Sequence, residues 1–299
     1  MPADDVSINI MDWHYMKLIP SSAAIKKACL DFGDSAEYAK RRWPKIEGFS
    51  KVESCWEGTR LHFLTESIQP KISSPARPRV MLLFSNPHPE SVKTGLFMSE
   101  QRSRGFWDIL CCSKHLDINH DFHWDIDSIR ETVSLLLNGD YEGPLLFFEC
   151  LYPIPSNSPK NLRRLFCPRT GDFERYLHCP SLERISEILT NHNIKVVLAF
   201  TGDTFESIVL KPDISKGSRQ ILCSSVERAL DRGNERFFWE YMDKHKLREQ
   251  AKLPNLKHKC TAIKVMDTRA KGWWPVGDEK RSVFSHVLDY ALQYTRQVG

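Results

Sequence analysis

The residues best equipped for chemistry follow short apolar runs. Ser85-Asn86-Pro87-His88-Pro89 comes directly after RVMLLF at Arg79–Phe84. Two prolines bar helix continuation there and remove two backbone donors, which makes a rigid, irregular loop. A short amide on such a loop can orient a water molecule. It is too weak a base to deprotonate one, so Asn86 reads as a positioning group rather than a general base. The plainer alternative is a proline-rich turn in which Asn86 caps its own backbone. Glu149-Cys150 closes a second apolar run, GPLLFFECL at 143–151. A carboxylate only accepts hydrogen bonds, so a Glu149 facing a pocket would select an exocyclic amine or hydroxyls. A slip of one residue turns it to the other face of its strand, toward a helix layer where an arginine would pair with it.

A third concentration is DTRAKGWWPVGDEKR, residues 267–281. The chain carries 42 Lys+Arg against 38 Asp+Glu, a surplus of four. Residues 257–281 alone hold seven bases (Lys257, Lys259, Lys264, Arg269, Lys271, Lys280, Arg281) against three acids (Asp267, Asp278, Glu279), a surplus of the same size. Cations beside tryptophans suit phosphate contact coupled to insertion into a stack: Arg269, Lys271 and Arg281 for phosphates, Trp273 or Trp274 for the gap. In the plainer reading one tryptophan packs under the final helix.

These residues need a frame. At 299 residues the chain exceeds the commonest domain size, and 41% hydrophobic with 27% charged residues excludes collagen-like, coiled-coil and wholly disordered classes. The apolar runs at 79–84 and 143–151, IKVVLAF at 194–200 and the weaker CTAIKVM at 260–266 read as strands. Helical patterns lie between them at 105–116, 126–137, 180–192, 203–210 and 226–250, with a last at 278–297. Strands alternating with helices imply parallel crossovers, so the expected fold is a three-layer α/β/α domain on a mostly parallel four-stranded sheet. The linker-like PKISSPARPR places a boundary near residue 77, with a largely helical N-terminal extension at 1–76 that includes a helix over 22–43. The core then spans 77–299 with a helical insertion at 211–259. In such sheets ligands bind beyond the carboxyl ends of the strands, where the loop carrying Asn86 falls.

In order along the chain, Asn86-Pro87, then Gly95-Leu96-Phe97, then Phe106-Trp107 opening a helix resemble the first motif of the uracil-DNA glycosylase superfamily, in its mismatch-specific branch. FFECLYPIP at 147–155 resembles the second-strand segment that reads the flipped base, and KVVLAFTGDTF at 195–205 is similar to the strand-Gly-helix segment of that superfamily. The resemblance covers roughly 79–297. It implies that Asn86 holds the attacking water, that Phe97 stacks on the extruded base, and that Ser85, His88, Glu149 and Cys150 line the base pocket. Departures accompany it. His88 stands where the family commonly has Gly, Leu96 where many members have Pro, and Met266-Asp267-Thr268-Arg269 where a His-Pro-Ser or Asn-Pro-Ser motif is usual. N-glycosidic hydrolysis develops positive charge on the sugar and negative charge on the base. Asp267 would repel that base anion, and either stabilises the sugar cation or acts as base toward water.

The implied activity is a monofunctional DNA glycosylase working as a cytoplasmic monomer on double-stranded DNA that contains a modified or damaged base. Glu149 sharpens this toward a modified cytosine, such as a glucosylated base of phage DNA removed in defence of a bacterial host. Uracil or mismatch repair, and a non-catalytic DNA-binding module, are the alternatives. No lysine sits in the loop after the first core strand to support lyase chemistry. No cofactor or metal is expected. His88-Pro89-Glu90 matches half of a zinc-deaminase signature whose Pro-Cys-x-x-Cys half is missing, and Cys29 and Cys55 lack the spacing to join Cys150, Cys167 and Cys179 around an iron-sulfur cluster. Nine cysteines, an odd number in a chain of this size, read as free buried thiols. No run of eighteen apolar residues predicts a membrane span, and the N-terminus lacks the pattern of a signal peptide.

Overall fold

A computed structural model describes residues 24–46, 48–49, 52–72, 74–94, 97–98, 105–118, 125–265, 275–276 and 281–298. The N-terminal part holds strand β1 (Ile25–Asp31), helix α1 (Ala36–Arg42), and strands β2 (Ser54–Glu57) and β3 (Arg60–Glu66). The core follows as β4 (Arg79–Phe84), α2 (Pro89–Thr94), α3 (Gly105–Cys111), α4 (Ile126–Asn138), β5 (Leu145–Cys150) and α5 (Pro159–Phe166). Next come α6 (Thr170–Phe173), a π-helical turn (Glu174–His178), α7 (Cys179–Asn191), β6 (Val196–Ala199) and α8 (Gly202–Val209). The chain then forms α9 (Ser218–Asp231), α10 (Arg236–Lys244), β7 (Arg248–Gln250) and β8 (Thr261–Lys264), with a small β9 (Pro275–Val276)–β10 (Arg281–Ser282) pair before α11 (Val283–Val298).

The four apolar runs pair in parallel in the order β5-β4-β6-β8. Every residue of β5 and β6 is buried, which requires cover on both faces. Successive residues of β5 point to opposite faces. Phe148 meets Phe106 of α3 at 5.9 Å, and Phe106 in turn packs on Phe284 of α11. Phe147 packs against His192 at the end of α7 in a tilted pair at 4.8 Å, and Glu149 pairs with Arg184 of α7. Helices therefore flank a mostly parallel sheet on both sides.

Three expectations are corrected. Among the described residues the sheet has five strands, because β7 adds antiparallel to β8 at the edge. Its sequence, Arg248-Glu249-Gln250, is polar throughout, and an edge strand needs no apolar run. The helix predicted over 226–250 is two helices, α9 and α10, separated by Gly233 at φ 59°. Among its described residues, all within 24–76, the extension is not largely helical. Residues 25–31 form a strand in a three-stranded antiparallel sheet ordered β1-β3-β2. Lys27, Cys29 and Asp31 face solvent while Ala28 and Leu30 turn inward, so the governing period is two. Just beyond β3, Ile68 exchanges two 2.9 Å backbone hydrogen bonds with Phe148, and thereby covers the otherwise free edge of β5.

All nine cysteines are free, but Cys29, Cys112, Cys167 and Cys179 are exposed rather than buried. Among the described residues no helix is long and apolar enough to cross a membrane.

Candidate functional site

From β4 the chain crosses to β5 on one side, whereas β6, β4's other neighbour, leads on to β8. Loops that leave adjacent parallel strands in opposite directions open a crevice at the carboxyl edge. Phe84 and Phe200, the last residue of β4 and the first after β6, stack at 4.3 Å. Ser85, Asn86 and His88 follow Phe84 on one loop, and Thr201 follows Phe200 on the other.

Asn86 is half-buried. Its Nδ2 donates to the Ser156 carbonyl at 2.6 Å, to Ser156 Oγ at 3.1 Å and to the Pro87 carbonyl at 3.0 Å. The last contact is the own-turn cap anticipated as the plainer reading. The other two reach the loop after β5, which is itself tied back by Ser156 N donating to Pro87 O at 2.9 Å. Oδ1 accepts no hydrogen bond among the described residues. The amide is thus oriented through its nitrogen and retains an open acceptor. Beside it, the Ser85 hydroxyl is buried and has no partner among the described residues, while Ser85 O accepts from Tyr152 N at 2.8 Å. His88 caps α2: its carbonyl accepts from Val92 N, and Nδ1 accepts from Glu90 N at 3.3 Å.

Phe97 is fully buried, with its ring 5.3 Å from Phe84 and 5.5 Å from Phe148 and its carbonyl accepting from Trp107 Nε1 at 3.1 Å. It neighbours the crevice as a core residue, and no face is open to an incoming base without displacing these rings. The expectation that Glu149 reads a base is corrected. Its Oε1 accepts from Ser67 Oγ and from Gln69 Nε2 at 2.7 Å, and its Oε2 from Arg184 Nη1 at 2.8 Å. A buried carboxylate with three donors to serve is occupied as a cross-link between the N-terminal sheet, β5 and α7. Cys150 is also buried. Burial, then Glu66 and Glu149, push its thiol well above the usual range, so it stays protonated and unreactive.

Asp267, Arg269, Lys271, Trp273 and Trp274 lie outside the described residues. Arg281 is described only as backbone, paired with Val276. Lys264, counted above with the basic segment, is buried at the carboxyl end of β8, where Nζ donates to the Phe200 carbonyl at 3.2 Å and to Val265 O.

Three site residues escaped the sequence reading. Ser156 orients Asn86 across seventy positions of chain. Its only local signal is the Ser156-Asn157-Ser158-Pro159 helix start. Tyr152 and His178 form the inner wall of a cavity of about 550 Å³ between the loop after β5, the π-helical turn and α8, with Phe173, Glu174, Asp203 and Ser207 around it. Tyr152 OH and His178 Nδ1 are 2.9 Å apart. Burial pushes the Tyr152 hydroxyl up to about 12 and lowers His178, so a neutral phenol meets a neutral imidazole at physiological pH. Among the described residues no group of three or more His, Cys, Asp or Glu is arranged to hold a metal ion.

Comparison with protein-family models yields no match, and comparison with curated proteins yields none either.

Proposed function

We propose that the chain is a monofunctional DNA glycosylase of the uracil-DNA glycosylase superfamily, acting as a monomer on a pyrimidine flipped out of double-stranded DNA. The observation that carries this reading is the Asn86 amide on the loop after β4, clamped through Nδ2 by Ser156 of the loop after β5, with Oδ1 left without a partner among the described residues. Oδ1 accepts a hydrogen bond from a water and points its lone pair at the anomeric carbon as the bond to the base breaks. Positioning of this kind suits an oxocarbenium-like transition state, because the electrophile is strong and the water needs orientation more than deprotonation. The bond to the base breaks with its electron pair on the base, the water oxygen forms the new C–O bond, the proton it sheds passes to solvent water, and solvent returns one to the departed base, which leaves an abasic sugar.

With Glu149 engaged by Arg184, the modified-cytosine preference loses the residue that motivated it, and base identity passes to experiment. Duplexes carrying uracil, 5-hydroxymethylcytosine or its glucosylated form are incubated with protein and heated in alkali. Strand breaks at one modified position, lost in Asn86→Ala, support the glycosylase. The complete burial of Phe97 favours a second reading, a non-catalytic DNA-binding module on the same fold. Binding without breaks on every substrate supports that module.

A further inference from the structure

A concentration of cations lies between α1 of the N-terminal part and α5 of the core. An open groove of about 470 Å³ is lined there by Tyr38, Arg41, Arg42, Lys45, Ile46 and Arg164, with no carboxylate among them. Nearby cations are matched: Lys40 pairs with Glu37 at 2.7 Å and Arg169 with Asp172 at 3.7 Å, while Arg41 feels Glu37 only at longer range and donates through Nε to its carbonyl at 3.1 Å. The four that line the groove form no salt bridge among the described residues.

Its walls are fixed. Arg42 Nε donates to the Arg164 carbonyl at 2.9 Å and Nη1 to Tyr38 OH at 3.1 Å, while Tyr38 OH donates to the Cys167 carbonyl. The Arg42 and Arg169 guanidinium groups lie 5.4 and 5.3 Å from the Tyr38 ring. Pre-ordering like charges opposes folding through their repulsion, and a polyanion relieves it. Three of the four are arginines, whose planar forks match phosphate oxygens, and four cations exceed what one phosphate group neutralises.

Position relates the groove to the crevice. Ser156, which orients Asn86, is followed by α5, and Arg164 lies in the last turn of that helix. At 1.5 Å per helical residue with a short extended lead-in, the groove begins roughly 10–15 Å from Asn86. That is roughly three to four nucleotides along one strand of a duplex.

We propose that this groove, built jointly by the N-terminal part and α5, binds the phosphodiester backbone of the DNA duplex a few nucleotides from the base held at the crevice. The N-terminal part thereby gains a role beyond covering the edge of β5. The assignment to DNA rests on the glycosylase reading; the groove's affinity for a polyanion does not.

The test uses the full chain, an unmodified 20-base-pair duplex, and fluorescence anisotropy across a salt series. Arg41→Gln, Lys45→Gln and Arg164→Gln are combined, and Arg42 is kept because it stitches the walls. Each lost phosphate contact lowers the slope of log affinity against log salt by about 0.9, so a fall of two to three and a ten-fold or greater weakening near 0.1 M salt are expected. A companion variant, Arg41→Lys with Arg164→Lys, keeps the charges and should keep the slope. An unchanged slope in the triple variant, with its thermal melt intact, overturns the proposal, as does an equal fall in the lysine variant. The outcomes separate the two claims. Base excision with an unchanged slope removes the groove and leaves the glycosylase. A reduced slope with no excision of any base removes the glycosylase and leaves the groove.

Discussion

Asn86 and Glu149 stand at the carboxyl ends of neighbouring strands, and their hydrogen bonds are arranged in opposite ways. Glu149 spends both oxygens on Ser67, Gln69 and Arg184. Asn86 spends only its nitrogen, and its oxygen is open. Asn86 is a half-buried amide and Glu149 a buried carboxylate, and the clearer difference between them is spare hydrogen-bonding capacity. A saturated polar group holds the fold together, while an oriented group with one open acceptor is prepared for something the protein itself does not supply.

The sharpest way to break this contrast is Asn86→Ala. Losing the water-positioning acceptor should lower single-turnover excision about 10²- to 10³-fold, with the thermal midpoint nearly unchanged. A similar loss in Glu149→Ala with no loss of stability would erase the distinction. Glu149→Ala is expected instead to destabilise by about 2–3 kcal/mol in denaturant titrations, because it strands Arg184; the figure is held down because Arg184 remains about a third exposed.

Glu66 probes the rule where spare capacity is fully buried. Its Oε1 has no partner, and burial alone pushes its carboxyl well above the usual range, so it folds in the neutral form. Stability from this group is complete below the unfolded value of about 4.3 and is lost as pH rises toward the folded value, by at most about 1.4 kcal/mol per pH unit. Glu66→Gln removes that slope, so its thermal midpoint should exceed the wild type's increasingly as pH rises above the unfolded value of about 4.3. Parallel profiles would mean that the carboxylate is charged in the folded protein. The smallest effect is expected from Ser156→Ala. It deletes the 3.1 Å contact but keeps the 2.6 Å carbonyl contact, so excision should slow only a few-fold, about 1 kcal/mol or less, with KM unchanged.

The central strands were readable because burial on both faces demands near-continuous apolar runs, as in RVMLLF and LLFFEC. β1 was misread because IKKACLD mixes helix-forming Ala and Lys with an alternation that becomes decisive only once β3 lies beside it. β7 left no apolar signal at all, since its pairing is made through the backbone. The Ser85–Pro89 loop was found from proline chemistry, but Ser156 could not be, because its contact with Asn86 spans two strands and a crossover. Glu149 shows the limit most clearly: the residue type suggested chemistry, and a strand face, set by packing against α7, assigned it to structure.

The most direct test is release of a free base. A duplex panel with uracil, 5-hydroxymethylcytosine and its glucosylated form is reacted under single-turnover conditions, and the small-molecule fraction is weighed by mass spectrometry for wild type and Asn86→Ala. The account predicts one free base in the wild-type reaction, matched by an abasic site, and at least a hundred-fold slower release in the variant. Release at equal rates from both proteins, or from neither, would contradict it.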